Sequence, residues 1–185
     1  MKFRLLVSTA LVAMSLGVSA IAIAATDPMV GGAAMYPSKD IVDNAMNSKG
    51  HTTLVAAVKA AGLVDTLKGP GPFTVFAPTN AAFAKLPPGT VDTLLKPENK
   101  AMLPKVLIYH VVPGRIDSNT LDADIKAGDG QATLKTVEGD TLNFKGSGKD
   151  LTVSDNKGDT AKVTIANVYQ SNGVIMVIDT VLLPN

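Results

Sequence analysis

The sequence predicts an α+β domain in which a helical first half is followed by antiparallel strands. In the first half, apolar residues recur at helical spacing, as in "HTTLVAAVKAAG", residues 51–62. The second half consists of short runs with alternating apolar and polar residues, separated by turn residues. Asn172-Gly173 lies between two β-rich runs, which is the strongest short signal of a hairpin.

The first residues have the layout of a secretory signal peptide. Lys2 and Arg4 precede an apolar run that closes with an A-x-A cleavage site ending at Ala24. The run is also long enough for an uncleaved membrane anchor, which is the alternative. The predicted organisation is a signal peptide over residues 1–24, an irregular lead-in over residues 25–37 and one domain over residues 38–185. Such a protein is expected to be exported, to the periplasm or to the cell surface and beyond.

Composition excludes several classes of function. The chain has 17 basic and 16 acidic residues with no basic stripe, so nucleic acid and anionic membrane are poor partners, and an uncleaved N-terminus would be the only membrane contact. It has no cysteine, which excludes disulfides, thiolate metal sites and cysteine nucleophiles. The two histidines are far apart in sequence and form no metal-ligand pattern, so no metal or cofactor is expected.

Helix signals fill the region before residue 70. Ser38 suits the N-cap of a first helix, and Thr52 or Thr53 suits the N-cap of a second helix that Gly62 ends. His51 precedes that cap and is expected at the surface.

The stretch "FTVFAPTNAAF" predicts a strand that turns into a helix. Pro78 cannot continue a central ladder, so the strand over residues 73–76 should end there. Thr79 or Asn80 can cap the next short helix, with the Asn80 side chain accepting its N–H groups. We therefore interpret Pro78, Thr79 and Asn80 as a structural corner.

The stretch "VLIYHVVPGRI" places a histidine on an apolar stripe. Residues 97–109 have helical spacing, with Pro104 in the first turn, and the stripe leads to His110 at the end of the helix. The final run, residues 174–183, is apolar almost without alternation, which favours a central strand covered on both faces.

Three segments together resemble the fasciclin (FAS1) domain family. They are "FTVFAPTNAAF", "VLIYHVVPGRI" and "NGVIMVIDTVLLP", in this order, and the resemblance covers residues 40–184. It implies a compact wedge, or sandwich, of two antiparallel β-sheets with an N-terminal helical layer. It also implies a binding role in cell adhesion or in the extracellular or envelope matrix, with a protein or a cell-surface component as partner.

The resemblance also bears on single residues. In some animal members the Tyr-His pair is implicated in integrin binding, and this pair corresponds to Tyr109 and His110, which become the candidate partner-binding residues. No RGD triplet is present. Some fasciclin-related proteins bind carotenoids, so a carrier of an apolar small molecule is the alternative function.

Three roles are open for His110 on the sequence alone. It can be a buried histidine that hydrogen-bonds the backbone, a partner contact together with Tyr109, or a catalytic or metal-binding group. The catalytic role lacks support, because no G-x-S-x-G motif is present and the nearest serine, Ser118, falls in an apparent turn. We therefore expect a protein that binds and is not an enzyme.

Overall fold

The computed structural model of the protein describes residues 27–96 and 101–184. The predicted signal peptide and the first residues of the helix expected from Pro97 lie outside this part of the chain. The strands are β1 Met29–Val30, β2 Ala33–Ala34, β3 Phe73–Pro78, β4 Val111–Pro113, β5 Gln131–Lys135, β6 Thr141–Lys145, β7 Thr152–Ser154, β8 Thr160–Gln170 and β9 Gly173–Ile178. The helices are α1 Ile41–Asn47, α2 Thr52–Ala60, α3 Val64–Lys68, α4 Asn80–Ala84, α5 Thr90–Leu95, α6 Met102–Tyr109 and α7 Ser118–Ala127.

The main sheet has seven strands in the order β4-β3-β9-β8-β7-β6-β5. Every neighbouring pair is antiparallel except β3 and β9, which run parallel. A parallel pair needs a crossover, and the long connection through α4, α5, α6 and the remaining strands supplies it. The predicted α+β class is confirmed, with a sheet that is mostly antiparallel.

The long strand β8 is irregular where it pairs with β9. Its pairing with β9 shifts register between Val163 and Ile165 and again between Ile165 and Val168. Asn167, inside the second irregularity, has a positive φ of 59°. Such bulges bend a strand and increase its twist. Strand β8 is thus the irregular strand between the half of the sheet with β3, β4 and β9 and the half with β5, β6 and β7.

Strand β9 separates two hydrophobic cores, and all six of its residues are buried. Ile175 and Val177 face the core formed with α1, α2, α3 and α6. Met176 and Ile178 face the core formed with α7 and the second half of the sheet. The apolar run at the end of the chain is thus a central strand covered on both faces, as predicted, although the strand ends at Ile178.

The lead-in that the sequence predicts to be irregular contains a small hairpin. Met29 pairs with Ala34, and Val30 pairs with Ala33. Gly31 and Gly32 form the two-residue turn with φ values of 57° and 81°. A turn with two positive φ angles matches the twist of a hairpin, and glycine adopts these angles without strain. The Gly-Gly pair was the signal for this hairpin.

Two local predictions differ from the structure. Asp40, and not Ser38, caps α1, because its carboxylate accepts the Asp43 N–H at 2.8 Å. Ser118 begins helix α7 and does not lie in a turn, because the Asp117 carboxylate accepts the Thr120 N–H at 2.9 Å and caps that helix.

Candidate functional site

His110 is a buried cross-link between three parts of the backbone. It follows the last residue of α6, and only 3% of its surface is exposed. The Leu182 N–H donates to Nε2 at 3.1 Å, so this nitrogen carries no proton. Nδ1 must therefore carry the proton, which it donates to the Val106 carbonyl at 2.8 Å. Through its own carbonyl, which accepts the Phe76 N–H at 2.9 Å, the residue also joins β3.

Burial keeps the His110 imidazole neutral. Removal from water lowers the pKa of His110 to about 4, and the Val106 carbonyl and the Asp155 carboxylate offset this only in part. An imidazole with both nitrogens bound to backbone groups has no lone pair left for a metal and no proton to exchange with a substrate. This geometry is that of a structural histidine.

Tyr109 is fully buried beside it. Its hydroxyl donates to the Thr141 carbonyl at 3.0 Å, and its ring meets the His110 imidazole edge-on with centroids 6.2 Å apart. Burial, followed by the nearby Asp155 charge, raises the pKa of Tyr109 to about 12. Neither Tyr109 nor His110 offers side-chain surface to a partner here, so this structure gives no support to a direct partner contact by either residue.

At the structural corner of Pro78, Thr79 and Asn80, the residues contact different helices: Thr79 caps the following helix, as predicted, but Asn80 does not. Pro78 is the last residue of β3, and Thr79 caps α4 by accepting the Ala82 N–H at 3.2 Å. The Asn80 side chain instead reaches the start of α2. There its Oδ1 accepts the Thr53 N–H at 3.0 Å, while its Nδ2 donates to the Lys49 carbonyl at 2.9 Å. Asn80 therefore caps a helix that precedes it in the chain.

Asp155 is a buried polar residue that the sequence did not single out. Its Oδ1 accepts the N–H groups of Lys157 and Asp159, both at 2.9 Å, and its Oδ2 accepts the Leu183 N–H at 3.1 Å. Together with His110, it fixes the last residues of the chain to the fold. The pattern "DNKGD" indicates a turn, but no sequence signal indicates the contact with Leu183.

An exposed polar and aromatic surface lies at the β8–β9 turn, at the opposite end of β4 from His110. We call it the tyrosine surface and define it by Tyr36, Lys39, Arg115, Tyr169 and Ser171. Tyr36 is 43% exposed and Tyr169 is 38% exposed. The surface joins distant parts of the chain, because the Ser171 N–H donates to the Lys39 carbonyl at 2.9 Å.

The cations of the tyrosine surface are held in defined positions. Arg115 donates from one terminal nitrogen to the Gln170 carbonyl at 3.0 Å and to the Ser171 carbonyl at 3.3 Å. The Lys39 ammonium lies 5.2 Å from the centre of the Tyr36 ring, within the range of a cation–π contact. An open groove of about 280 Å³ runs beside Arg115, lined by Pro70, Gly71, Pro72, Ser171 and Asn172.

The second tyrosine is oriented by a carboxylate. The Tyr169 hydroxyl donates to Asp117 Oδ2 at 3.1 Å. Hydrogen bonds from the Thr120 N–H and hydroxyl lower the pKa of Asp117, and partial burial raises the pKa of Tyr169. The surface thus presents a phenol oriented by a carboxylate, a fixed guanidinium and an exposed lysine.

An apolar cleft lies between α1, α2, α3 and β3. Its floor includes Phe76 and His110, and its enclosed volume is about 40 Å³. Sites for small ligands usually occupy about 300–1,000 Å³. The cleft as it stands therefore has no room for a carotenoid.

The described residues, 27–96 and 101–184, contain neither a cluster of metal-binding side chains nor a helix that could span a membrane. Within these ranges, no group of three or more histidine, aspartate or glutamate side chains could hold a metal ion. No helix in the same ranges is both long and apolar enough to cross a membrane.

Comparison with known proteins decides the family. The model of the fasciclin domain matches residues 49–184. The chain belongs to the fasciclin domain family. The fold agrees with this assignment, since one chain of a FAS1 domain pair from the insect cell adhesion molecule fasciclin I superposes with a TM-score of 0.69. At 17% identity, over 78% of this chain and 50% of the other, that likeness shows the fold alone.

Similar sequences come from cyanobacteria and mycobacteria. The fasciclin chain is 46% identical to the protein sll1483 of Synechocystis over 98% of its own length and 96% of the relative's. It is 34% identical to the cell surface glycolipoprotein MPB83 of Mycobacterium bovis over 91% of its own length and 66% of the relative's. It is 38% identical to the immunogenic protein MPB70 of the same species over 76% and 66% of the two lengths.

Proposed function

We propose that this fasciclin domain is an exported, non-enzymatic binding module that attaches to a protein or matrix component of the cell envelope. The layout of its N-terminus supports export, and the cell-surface location in the name of MPB83 supports an envelope setting. The engagement of both His110 nitrogens by backbone groups supports a role without catalysis.

The observation that carries the proposal is the tyrosine surface. Tyrosine and arginine are enriched among the residues that dominate the free energy of protein interfaces. Here the exposed Tyr169 lies near the oriented Arg115, and the segment with the exposed Tyr36 is joined to the same turn through the Lys39 carbonyl; Arg115 loses little side-chain entropy on binding because two carbonyls already fix it. The other exposed large apolar side chains among the described residues are Met29, Met46, Met102 and Val137.

The proposal is tested by cosedimentation of the protein lacking residues 1–24 with isolated envelopes of its host. We expect binding that Arg115→Gln and Tyr169→Ala each weaken by about tenfold, the effect of about 1.4 kcal/mol. Lys157→Gln is the matched control, because it removes one positive charge at the turn that enters β8, at the far end of that strand. Unchanged binding in Arg115→Gln and Tyr169→Ala, or no binding by the parent protein, would refute the proposal.

A further inference from the structure

His51 lies beneath the N-terminal hairpin and is not at the surface where the sequence predicts it. Only 3% of the residue is exposed. Its Nδ1 lies 2.8 Å from the Ser48 hydroxyl, which in turn lies 3.1 Å from the Val30 carbonyl of β1. A short relay therefore connects the imidazole to the hairpin.

The direction of this relay follows from proton counting. The Ser48 hydroxyl has one proton and donates it to the Val30 carbonyl. It can then only accept from His51, so the neutral imidazole carries its proton on Nδ1. Nε2 is left as a bare acceptor and has no hydrogen-bond donor within the described ranges, since the nearby Ala77 carbonyl is itself an acceptor.

The surroundings of His51 oppose a positive charge. A small cavity of about 10 Å³ adjoins the ring, and its wall contains no ionisable side chain other than His51; it consists of Val30, Met35, Ala45, Ser48, Ala77, Val168 and Ile175. Lys49, the neighbour in sequence, is exposed. Burial lowers the pKa of His51, and the Ala77 carbonyl offsets this only in part. His51 also lies at the N-terminus of α2, where the helix dipole disfavours a cation.

The hairpin also has contacts with the domain apart from this relay, and the side chain of Val30 lies in the main helical core. The Lys49 N–H donates to the Gly31 carbonyl at 3.1 Å, and Gly31 approaches so closely that a Cβ there would lie 2.3 Å from the Ser48 hydroxyl. Met35 is buried in the main helical core. After the hairpin, the Asn44 side chain pairs with the backbone of Tyr36 at 3.0 and 2.8 Å. Opening of the hairpin therefore withdraws Val30 and Met35 from the core, whereas the Asn44 contacts can keep Tyr36 in place.

We propose that His51 is an acid-sensitive latch, whose protonation releases residues 28–35 from the domain while the rest of the fold persists. A second proton on the ring puts a charge into an apolar space, and opening of the hairpin lets water reach it. Opening also uncovers Val168 and Ile175, so acid would expose an apolar patch next to the N-terminal end of the domain. This role is independent of the tyrosine surface.

Amide hydrogen exchange followed by NMR between pH 7.5 and pH 4.5 tests the latch. The reporters are the amides of Lys49 and Met35, which donate to Gly31 and Pro28. After correction for intrinsic exchange, we expect their protection to fall by about tenfold or more at the His51 titration, whereas the Phe76 amide in β3 loses protection only at lower pH, together with the stability of the whole domain. The midpoint should coincide with the titration of the His51 ring in the same spectra.

Two variants separate the latch from general acid unfolding. In His51→Gln, which cannot take up a proton, protection of the hairpin should no longer depend on pH. In Ser48→Ala, which breaks the relay but keeps the histidine, protection of the hairpin should already be about tenfold lower at pH 7.5. Loss of protection in the hairpin and in Phe76 at the same pH, or acid opening that persists in His51→Gln, would overturn the proposal. If His51→Gln does not fold, the parent protein alone decides. The proposal is then overturned if the pH midpoint of hairpin opening differs from the pH midpoint of the His51 ring titration.

Discussion

At the scale of single residues, the fold depends on polar side chains that hydrogen-bond distant backbone. His110 joins the end of α6 to the Leu182 N–H, 72 positions later. The apolar spacing around His110 predicted its burial at the end of a helix, but spacing within a helix contains no information on a partner so far along the chain. The position of His110 at the buried end of a helix was therefore predictable, whereas its hydrogen bond with the Leu182 N–H was not.

Replacement of His110 should destabilise the domain strongly. In His110→Ala, the Val106 carbonyl and the Leu182 N–H lose their partner inside the core, and a cavity remains. We expect the free energy of unfolding to fall by about 2–4 kcal/mol. Urea denaturation measures this change, and a variant as stable as the parent would contradict the structural role of His110.

Tyr109→Phe is the milder comparison at the same place. The ring stays in the core, and only the hydrogen bond from the hydroxyl to the Thr141 carbonyl is lost. The expected decrease is about 1 kcal/mol in the same urea experiment. A loss as large as that in His110→Ala would show that the hydroxyl contributes far more than one hydrogen bond.

His51 shows where sequence reasoning failed at this scale. Its position before a helix, beside threonines and a glycine, is typical of an exposed residue. It is buried because the hairpin of β1 and β2 folds over it, and Gly31 permits that close approach. Since the lead-in was predicted to be irregular, nothing in the pattern indicated a cover for this histidine.

At the scale of elements, the sequence predicted which residues cap helices, but it did not always predict which helix a residue caps. Asn80 was expected to cap the helix that follows it, and it is in fact a capping residue. It caps α2, because Thr79 already satisfies α4 and the Asn80 side chain points to the earlier helix. The N-terminus of α2 has no side-chain cap from its own N-cap residue, His51.

Three substitutions resolve the two caps. Thr79→Ala removes the local cap of α4 and should lower the free energy of unfolding by about 1 kcal/mol. Asn80→Ala removes both an acceptor and a donor at the start of α2 and should lower it by about 1–2 kcal/mol. Asn80→Asp keeps the acceptor for Thr53 and should recover part of that loss. Urea denaturation measures all three, and equal stability of Asn80→Ala and the parent would exclude the cap across helices.

Helix α7 was not predicted, for a reason visible in its composition. Only Leu121 and Ile125, one turn apart, are buried, and they are surrounded by small and acidic residues. Two apolar residues are too few to define a helical period. Strand β9 is the opposite case, because six consecutive buried residues produce an apolar run that only a covered central strand explains.

At the scale of the whole molecule, the fold class followed from the order of helices and strands, and the family followed from three ordered segments. The tyrosine surface could not be predicted in this way. It combines the segment before α1, the loop after β4 and the turn between β8 and β9. Its members are ordinary exposed residues in sequence, and only the sheet order brings them together.

Acid should destabilise the whole domain through His110. The pKa of His110 is about 4 in the folded protein and about 6.5 in an unfolded chain, so the unfolded chain binds more protons between these values. The stability due to the neutral imidazole is complete above about pH 6.5 and is lost as the pH falls toward 4, by about 3 kcal/mol in total. Urea denaturation at several pH values measures this slope.

The matched control is a variant that cannot titrate at this position. His110→Ala should have a lower free energy of unfolding at neutral pH, and its stability should depend less on pH between about 6.5 and 4. Identical slopes in the variant and the parent would assign the acid sensitivity to other groups.

The measurement that tests the account most directly compares binding and stability in the same two variants. Arg115→Gln and His110→Ala are assayed for unfolding in urea and, at a temperature where both are folded, for cosedimentation with host envelopes. We predict that Arg115→Gln loses at most about 1 kcal/mol of stability but binds about tenfold more weakly, and that His110→Ala loses about 2–4 kcal/mol but binds normally. Folded His110→Ala that fails to bind, together with normal binding by Arg115→Gln, would contradict the account.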